Sequence, residues 1–274
     1  MKRLPTRSHR CVAAHAALTG LVAVLLCGTS MRAQQTAQSP RPMSTVSGNT
    51  MSGMQGSDGE AMGHGLIGHA MFSQFEGRTN GADNELRWDG EGWLGTDMNR
   101  LRVKSEAYGD GGGVSDGDHE ALYGRPIPRL RYFDAQAGIR ADLDSGPARA
   151  WAAIGVEGLA PYFFAFAPTL YIRNDGRVAG RLEGSYDLLL TQRWIAEPEA
   201  ELNFYSKDDA PRGIGSGLSE MDTGIRVRYE VSRKFAPYLG FAWDGKFGGT
   251  VSYARQRGET SSDPRFVFGI RFWY

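Results

Sequence analysis

The chain has 274 residues, with 31 basic and 31 acidic side chains, 37 glycines and 11% aromatic residues. Five of the basic residues and none of the acidic ones fall within residues 1–33, so 26 basic and 31 acidic side chains remain after that point. This slightly acidic balance excludes a general electrostatic attraction to nucleic acid. The two cysteines, Cys11 and Cys27, also precede residue 34, which excludes a disulfide or a thiolate metal site from the remainder.

Residues 1–33 have the pattern of a secretory signal peptide. Residues 2–10 are basic, and residues 11–28 form an apolar run that is too short and poorly flanked for a stable membrane span. Cleavage is expected after Ser30 or Ala33. The product would therefore function outside the cytoplasm.

Residues 34–70 are rich in Gln, Ser, Thr, Gly and Pro and have almost no large apolar residues apart from Met. Such a tail cannot bury enough surface to offset its chain entropy, so we expect it to be disordered when metal-free. Its donors, with the first residue after it, are our candidate metal ligands: Met43, Met51, Met54, Met62, His64, His69 and Met71. Thioether sulfur suits Cu(I), and imidazole suits both Cu(I) and Cu(II). The alternative is a polar linker whose methionines bind nothing.

From residue 71 onward, apolar and polar residues alternate. Phe266, Phe268 and Ile270 share one face of a predicted last strand, whereas Ile225 and Val227 oppose charged neighbours in an earlier one. Alternate residues of a strand face opposite sides of a sheet. We predict about twelve strands, near residues 71–78, 84–94, 98–108, 118–126, 131–142, 149–159, 162–172, 177–190, 193–206, 219–231, 235–246 and 264–274.

Two all-β architectures fit this alternation, a soluble sandwich and an outer-membrane barrel. Three features favour the barrel: aromatic residues at strand ends, mixed Arg and Glu on the opposite faces, and a last strand that ends on Tyr274. We therefore expect residues 71–274 to form an antiparallel transmembrane β-barrel. Residues 109–117, 207–218 and 247–263 are expected to be its long external loops.

Catalysis has little support in the sequence. A hydrolase needs an activated nucleophile and a base, and His119 is the only histidine of the barrel region. The Gly-x-Ser-x-Gly spacing occurs at residues 113–117 (GVSDG), but in a predicted external loop and not in the strand-to-helix turn of a nucleophile elbow. The carboxylates and arginines of the strands are more simply interpreted as lumen charge pairs, so no enzyme is expected.

Five blocks in the barrel region resemble the copper resistance protein B family of outer-membrane proteins. They are residues 117–123 (GDHEALY), 158–163 (GLAPYF), 186–193 (YDLLLTQR), 212–219 (RGIGSGLS) and 228–238 (RYEVSRKFAPY). The resemblance covers nearly all of residues 71–274, although tails in this family are often longer and more regular in Met and His. It implies a copper-binding protein of the Gram-negative outer membrane that acts in copper tolerance beside periplasmic copper oxidases and copper carriers.

We accordingly expect an outer-membrane barrel that contacts lipid, whose periplasmic tail binds copper and sequesters or exports it. The alternative function is a general porin or channel without specific metal binding.

Overall fold

The computed structural model describes residues 66–81, 83–110, 113–143 and 148–274. Within these ranges the chain is almost entirely antiparallel sheet. The strands are β1 (Ile67–Thr79), β2 (Asn84–Gly95), β3 (Arg100–Asp110), β4 (Gly113–Ile127), β5 (Leu130–Asp142), β6 (Arg149–Ala160), β7 (Phe164–Ile172), β8 (Val178–Ser185), β9 (Leu188–Leu189), β10 (Trp194–Tyr205), β11 (Gly217–Tyr229), β12 (Phe235–Lys246) and β13 (Ser262–Trp273). An α-helix, α1 (Gly248–Arg257), joins β12 to β13, and a short 3-10 helix (Pro161–Phe163) precedes β7. Among the described residues no helix is long and apolar enough to cross a membrane.

The sheet closes on itself. Neighbouring strands pair in chain order, and β13 pairs with β1. The short β9 pairs with β10 as β8 does, so the two together make one wall strand interrupted at Tyr186 and Asp187. The interruption lies opposite Pro198, which has no N–H to donate to the ladder. The result is the expected barrel of twelve wall strands, and closure satisfies backbone groups that lipid could not.

The two faces of the wall divide by polarity, as the alternation predicts. On β11, Ile225 points outward and is 45% exposed, whereas Arg226 and Arg228 point inward and are buried. On β13, Phe266, Phe268 and Phe272 also lie on the outer face. Apolar residues outside and charged residues inside are typical of an outer-membrane barrel and the reverse of a soluble sandwich.

The structure differs from the predicted elements in three places. The first strand begins at Ile67, so His69 belongs to the wall. Residues 109–117 were predicted to be a long loop, but β3 and β4 extend through most of them, because both strands continue the alternation past their glycines. The long loop at residues 247–263 contains α1.

The two longest loops lie at the same end of the barrel, and the turns at the other end are all short. The turns after β2, β4, β6, β9 and β11 are short, whereas the loops after β10 and β12 are long. In bacterial barrels the short turns face the periplasm. On that basis we call the end that carries the starts of β1 and β3 periplasmic and the opposite end extracellular.

Candidate functional site: the lumen and its periplasmic mouth

Glu76 is the centre of a buried charge network inside the barrel. Its carboxylate accepts hydrogen bonds from Arg78 Nε at 2.7 Å, from Arg226 Nη2 at 2.9 Å and from the Tyr238 hydroxyl at 3.0 Å. The side chains of Glu76 and Arg78 are fully shielded from solvent. Glu76 and Arg78 of β1 are thus joined to β11 and β12, two strands from the other end of the chain.

The network continues through the extracellular half of the lumen. Arg87 pairs with Glu106 at 2.6 Å and with Asp222 at 3.3 Å. Glu106 in turn faces Arg181 at 3.5 Å, and Arg181 pairs with Asp118 at 2.5 Å. Side chains of alternating charge therefore fill this half of the barrel.

A cavity of about 430 Å³ remains in the middle and periplasmic part of the lumen. Eleven carboxylates line it: Asp89, Glu91, Glu106, Asp118, Glu120, Glu157, Glu183, Glu197, Glu199, Glu201 and Asp222. Six cations line it: Arg87, Lys104, Arg181, Arg226, Arg228 and Arg271. The excess of carboxylates makes the cavity attractive to cations. Within the described residues, however, no three His, Cys, Asp or Glu side chains are grouped closely enough to hold a metal ion.

The predicted copper ligands divide between two regions. Five of them lie outside the described residues, as does the predicted signal peptide: Met43, Met51, Met54, Met62 and His64. The other two, His69 and Met71, lie on β1 and face the lumen at its periplasmic mouth.

His69 lies between two tryptophans at this mouth. Its ring centroid is 6.3 Å from that of Trp93 and 5.6 Å from that of Trp273. Met71 lines the cavity one step further inside, where its Sδ accepts a hydrogen bond from Arg271 Nη2 at 3.6 Å. An imidazole and a thioether on one face of one strand are chemically suited to copper. Two donors, one of them engaged by a guanidinium, do not complete a site.

The remaining histidine of the barrel does not face the lumen. His119 lies on the outer wall, where its Nδ1 is 3.0 Å from Ser105 Oγ, and Ser105 also accepts from Trp88 Nε1 at 3.3 Å. The sequence predicted a surface histidine there rather than a ligand. Met221 also lies on the outer wall, and Met98 is exposed in the turn after β2.

The extracellular cover of the lumen was not predicted from the sequence. The loop after β10 reaches back over the barrel, so that Asp209 pairs with Arg177 at 2.8 Å and with Arg149, at the start of β6, at 3.3 Å. α1 packs on this loop, with Arg257 donating to the carbonyl of Arg212 at 3.1 Å. These contacts join residues far apart in the chain, and the local pattern showed only polar loops.

The blocks of sequence that form this barrel also match a known family. The profile described as "Copper resistance protein B precursor (CopB)" matches residues 66–274. The chain belongs to the copper resistance protein B family. The match begins just before β1, so the family extends over the whole barrel that the structure describes.

Two relatives carry the same family name. Copper resistance protein B of Escherichia coli is 37% identical over 221 residues, which cover 79% of this chain and 74% of that protein. A copper resistance protein B homolog of Pseudomonas syringae pv. tomato is 41% identical over 189 residues, which cover 69% of this chain and 64% of that protein.

Solved porins show a looser similarity. The NanC porin has a TM-score of 0.47 at 12% identity, covering 75% of this chain and 99% of its own. The KdgM porin has a TM-score of 0.43 at 9% identity, covering 74% of this chain and 98% of its own.

Proposed function

We propose that this protein binds copper in the periplasm and thereby lowers the free copper that the cell must tolerate. Membership of the copper resistance protein B family is the observation that carries the proposal. The barrel would anchor the protein in the outer membrane, with the tail on the periplasmic side, because β1 begins at the short-turn end. Copper is cargo in this scheme, and no catalytic step is part of it.

The donors of the tail would hold most of the copper, since the two described donors do not complete a site. Residues 43–64 supply four thioethers and one imidazole, which suit Cu(I) without a preformed fold. His69 and Met71 would extend this donor series into the lumen mouth. Copper held there would lie beside a cavity rich in carboxylates, and export through the lumen would begin at this point. Periplasmic copper oxidases or copper carriers would be the partners that exchange copper with the tail.

Deleting residues 34–65 tests where the copper is held. This deletion removes five donors but leaves β1 complete, whereas a deletion through residue 70 would remove part of the first wall strand. We expect the truncated barrel to lose most of its bound Cu(I), measured by metal analysis of the folded protein after competition with a chromophoric chelator. The double variant His69→Ala and Met71→Leu should lose less.

Met221→Leu is the matched control, because Met221 lies on the outer wall, away from the tail and the lumen mouth. It should bind as much Cu(I) as the parent protein. Undiminished copper in the truncated barrel would contradict the assignment to the tail and move the site into the lumen.

A further inference from the structure

The turns at the periplasmic end of the barrel carry more basic than acidic side chains. Their carboxylates are Asp97 and Glu230. Their exposed cations, which we call the periplasmic collar, are Arg129, Arg193, Arg233 and Lys234.

The collar cations have no anionic partner. Within the part of the chain that the structure describes, none of them forms an ion pair. Arg193 donates to the neutral hydroxyl of Tyr229 at 3.3 Å, and Lys234 lies over aromatic rings instead of a carboxylate. The lumen and the extracellular loops differ, because their arginines are extensively paired. Arg173 with Asp175 at 2.7 Å is one example from an extracellular turn.

The collar also borders the mouth of the lumen. Lys234 Nζ lies 5.4 Å from the ring centroid of Trp273, and Trp273 is the inward-facing residue that flanks His69. A cation that approaches the acidic cavity from the periplasm therefore passes close to unpaired positive charge first. This positive charge repels free cations until something neutralises it.

We propose that the collar is the docking surface for a soluble periplasmic protein whose contacting face carries clustered carboxylates. Charge complementarity selects this partner, because unpaired cations beside an open mouth attract anionic surfaces and accelerate their association. Docking would neutralise the collar and hold the partner against the lumen entrance. Lipid phosphates fit less well. Arg129, Arg193 and Lys234 lie in or next to turns beyond the wall strands, and Lys234 stacks toward the lumen side of the rim.

Docking at the collar goes beyond the proposed function and does not need bound copper. The docking proposal and the proposed function can therefore fail independently. The probe is a fluorescent deca-glutamate peptide, titrated onto the full chain in nanodiscs of zwitterionic phosphatidylcholine. We expect Arg129→Glu with Lys234→Glu to weaken binding by about tenfold or more, and added salt to weaken binding to the parent protein. The matched control is Lys207→Glu with Arg255→Glu in the extracellular loops, which should bind like the parent.

Heat-modifiable gel mobility must show that both variants are folded. Equal binding by the collar variant and the parent would overturn the proposal, and so would an equal loss in the extracellular control. A third outcome would also overturn it. If nanodiscs rich in phosphatidylglycerol abolish peptide binding by the parent protein, lipid headgroups are the occupant of the collar.

Discussion

At the scale of single residues, Glu76 shows how the lumen tolerates buried charge. Its carboxylate is shielded from solvent but contacts two arginines and a tyrosine hydroxyl. A buried carboxylate is costly unless its charge and its lone pairs are matched. The position therefore requires an anion, and a side chain of the same shape does not suffice.

Glu76→Gln is expected to destabilise the barrel by about 3–5 kcal/mol, because Arg78 and Arg226 would remain buried with one anion fewer. Urea unfolding of the lipid-embedded barrel, followed by tryptophan fluorescence, measures the change.

Glu259→Gln is the control for this prediction. Glu259 accepts from Lys246 at 2.6 Å, and this hydrogen bond lowers the pKa of its carboxyl, but the side chain is 43% exposed. Solvent screens such a pair, so a loss below about 1 kcal/mol is expected. Equal losses in the two variants would mean that the lumen charges are as well solvated as the surface.

At the scale of elements, the seam between β13 and β1 closes the barrel. Phe272 stacks on Phe72 with ring centroids 4.9 Å apart, and the backbones of Tyr274 and Ala70 exchange hydrogen bonds at 2.8 and 3.1 Å. An open seam would leave these groups unsatisfied in or near lipid, at a cost of several kcal/mol each. The last residues of the chain are therefore part of the wall.

Deleting residues 272–274 should impair insertion and leave the protein degraded or aggregated, with no candidate copper ligand removed. Outer-membrane fractionation and heat-modifiable gel mobility are the measurements. Tyr274→Phe keeps the backbone pairing and the aromatic ring, so it should assemble normally. A truncated chain that still reached the membrane as a folded barrel at normal levels would refute the importance of this seam.

At the scale of the whole molecule, we expect the extracellular cover and the lumen network to limit conduction through the barrel. Asp209 and Arg257 hold the cover in place, while the ion pairs of Arg87 and Arg181 fill the space beneath it. A general porin would need an open path through both layers.

Asp209→Asn with Arg257→Ala should loosen the cover and raise single-channel conductance in planar bilayers. Arg173→Gln, which breaks the pair with Asp175 within one hairpin turn and leaves the pair of Arg177 with Asp209 in place, is the control and should leave conductance unchanged. If the double variant conducts like the parent, the lumen network limits flow instead of the cover. Repeating the recording with copper in the chamber separates a copper path from a general porin, since only the former should respond to copper.

The fold could be predicted from the sequence because apolar and polar residues alternate along each strand, and this local pattern identifies its two faces. The pattern Ile225, Arg226, Val227, Arg228 needs no distant information to assign one side to lipid and one to the lumen. The loop prediction at residues 109–117 is wrong because glycine, although typical of loops, is also tolerated in a long hairpin. The family could also be inferred from the sequence, because five blocks of the barrel region resemble it in the same order.

Only the tertiary structure decided which charges meet. Glu76 and Arg226 are 150 residues apart in the chain, and closure of the barrel brings them into contact. The same closure places His69, predicted as a tail residue, between Trp93 on β2 and Trp273 on β13. It also gathers cations from separate short turns into one collar. Alternation determines the face on which a side chain lies, but its partner depends on strand order, register and loop packing, which are properties of the closed barrel.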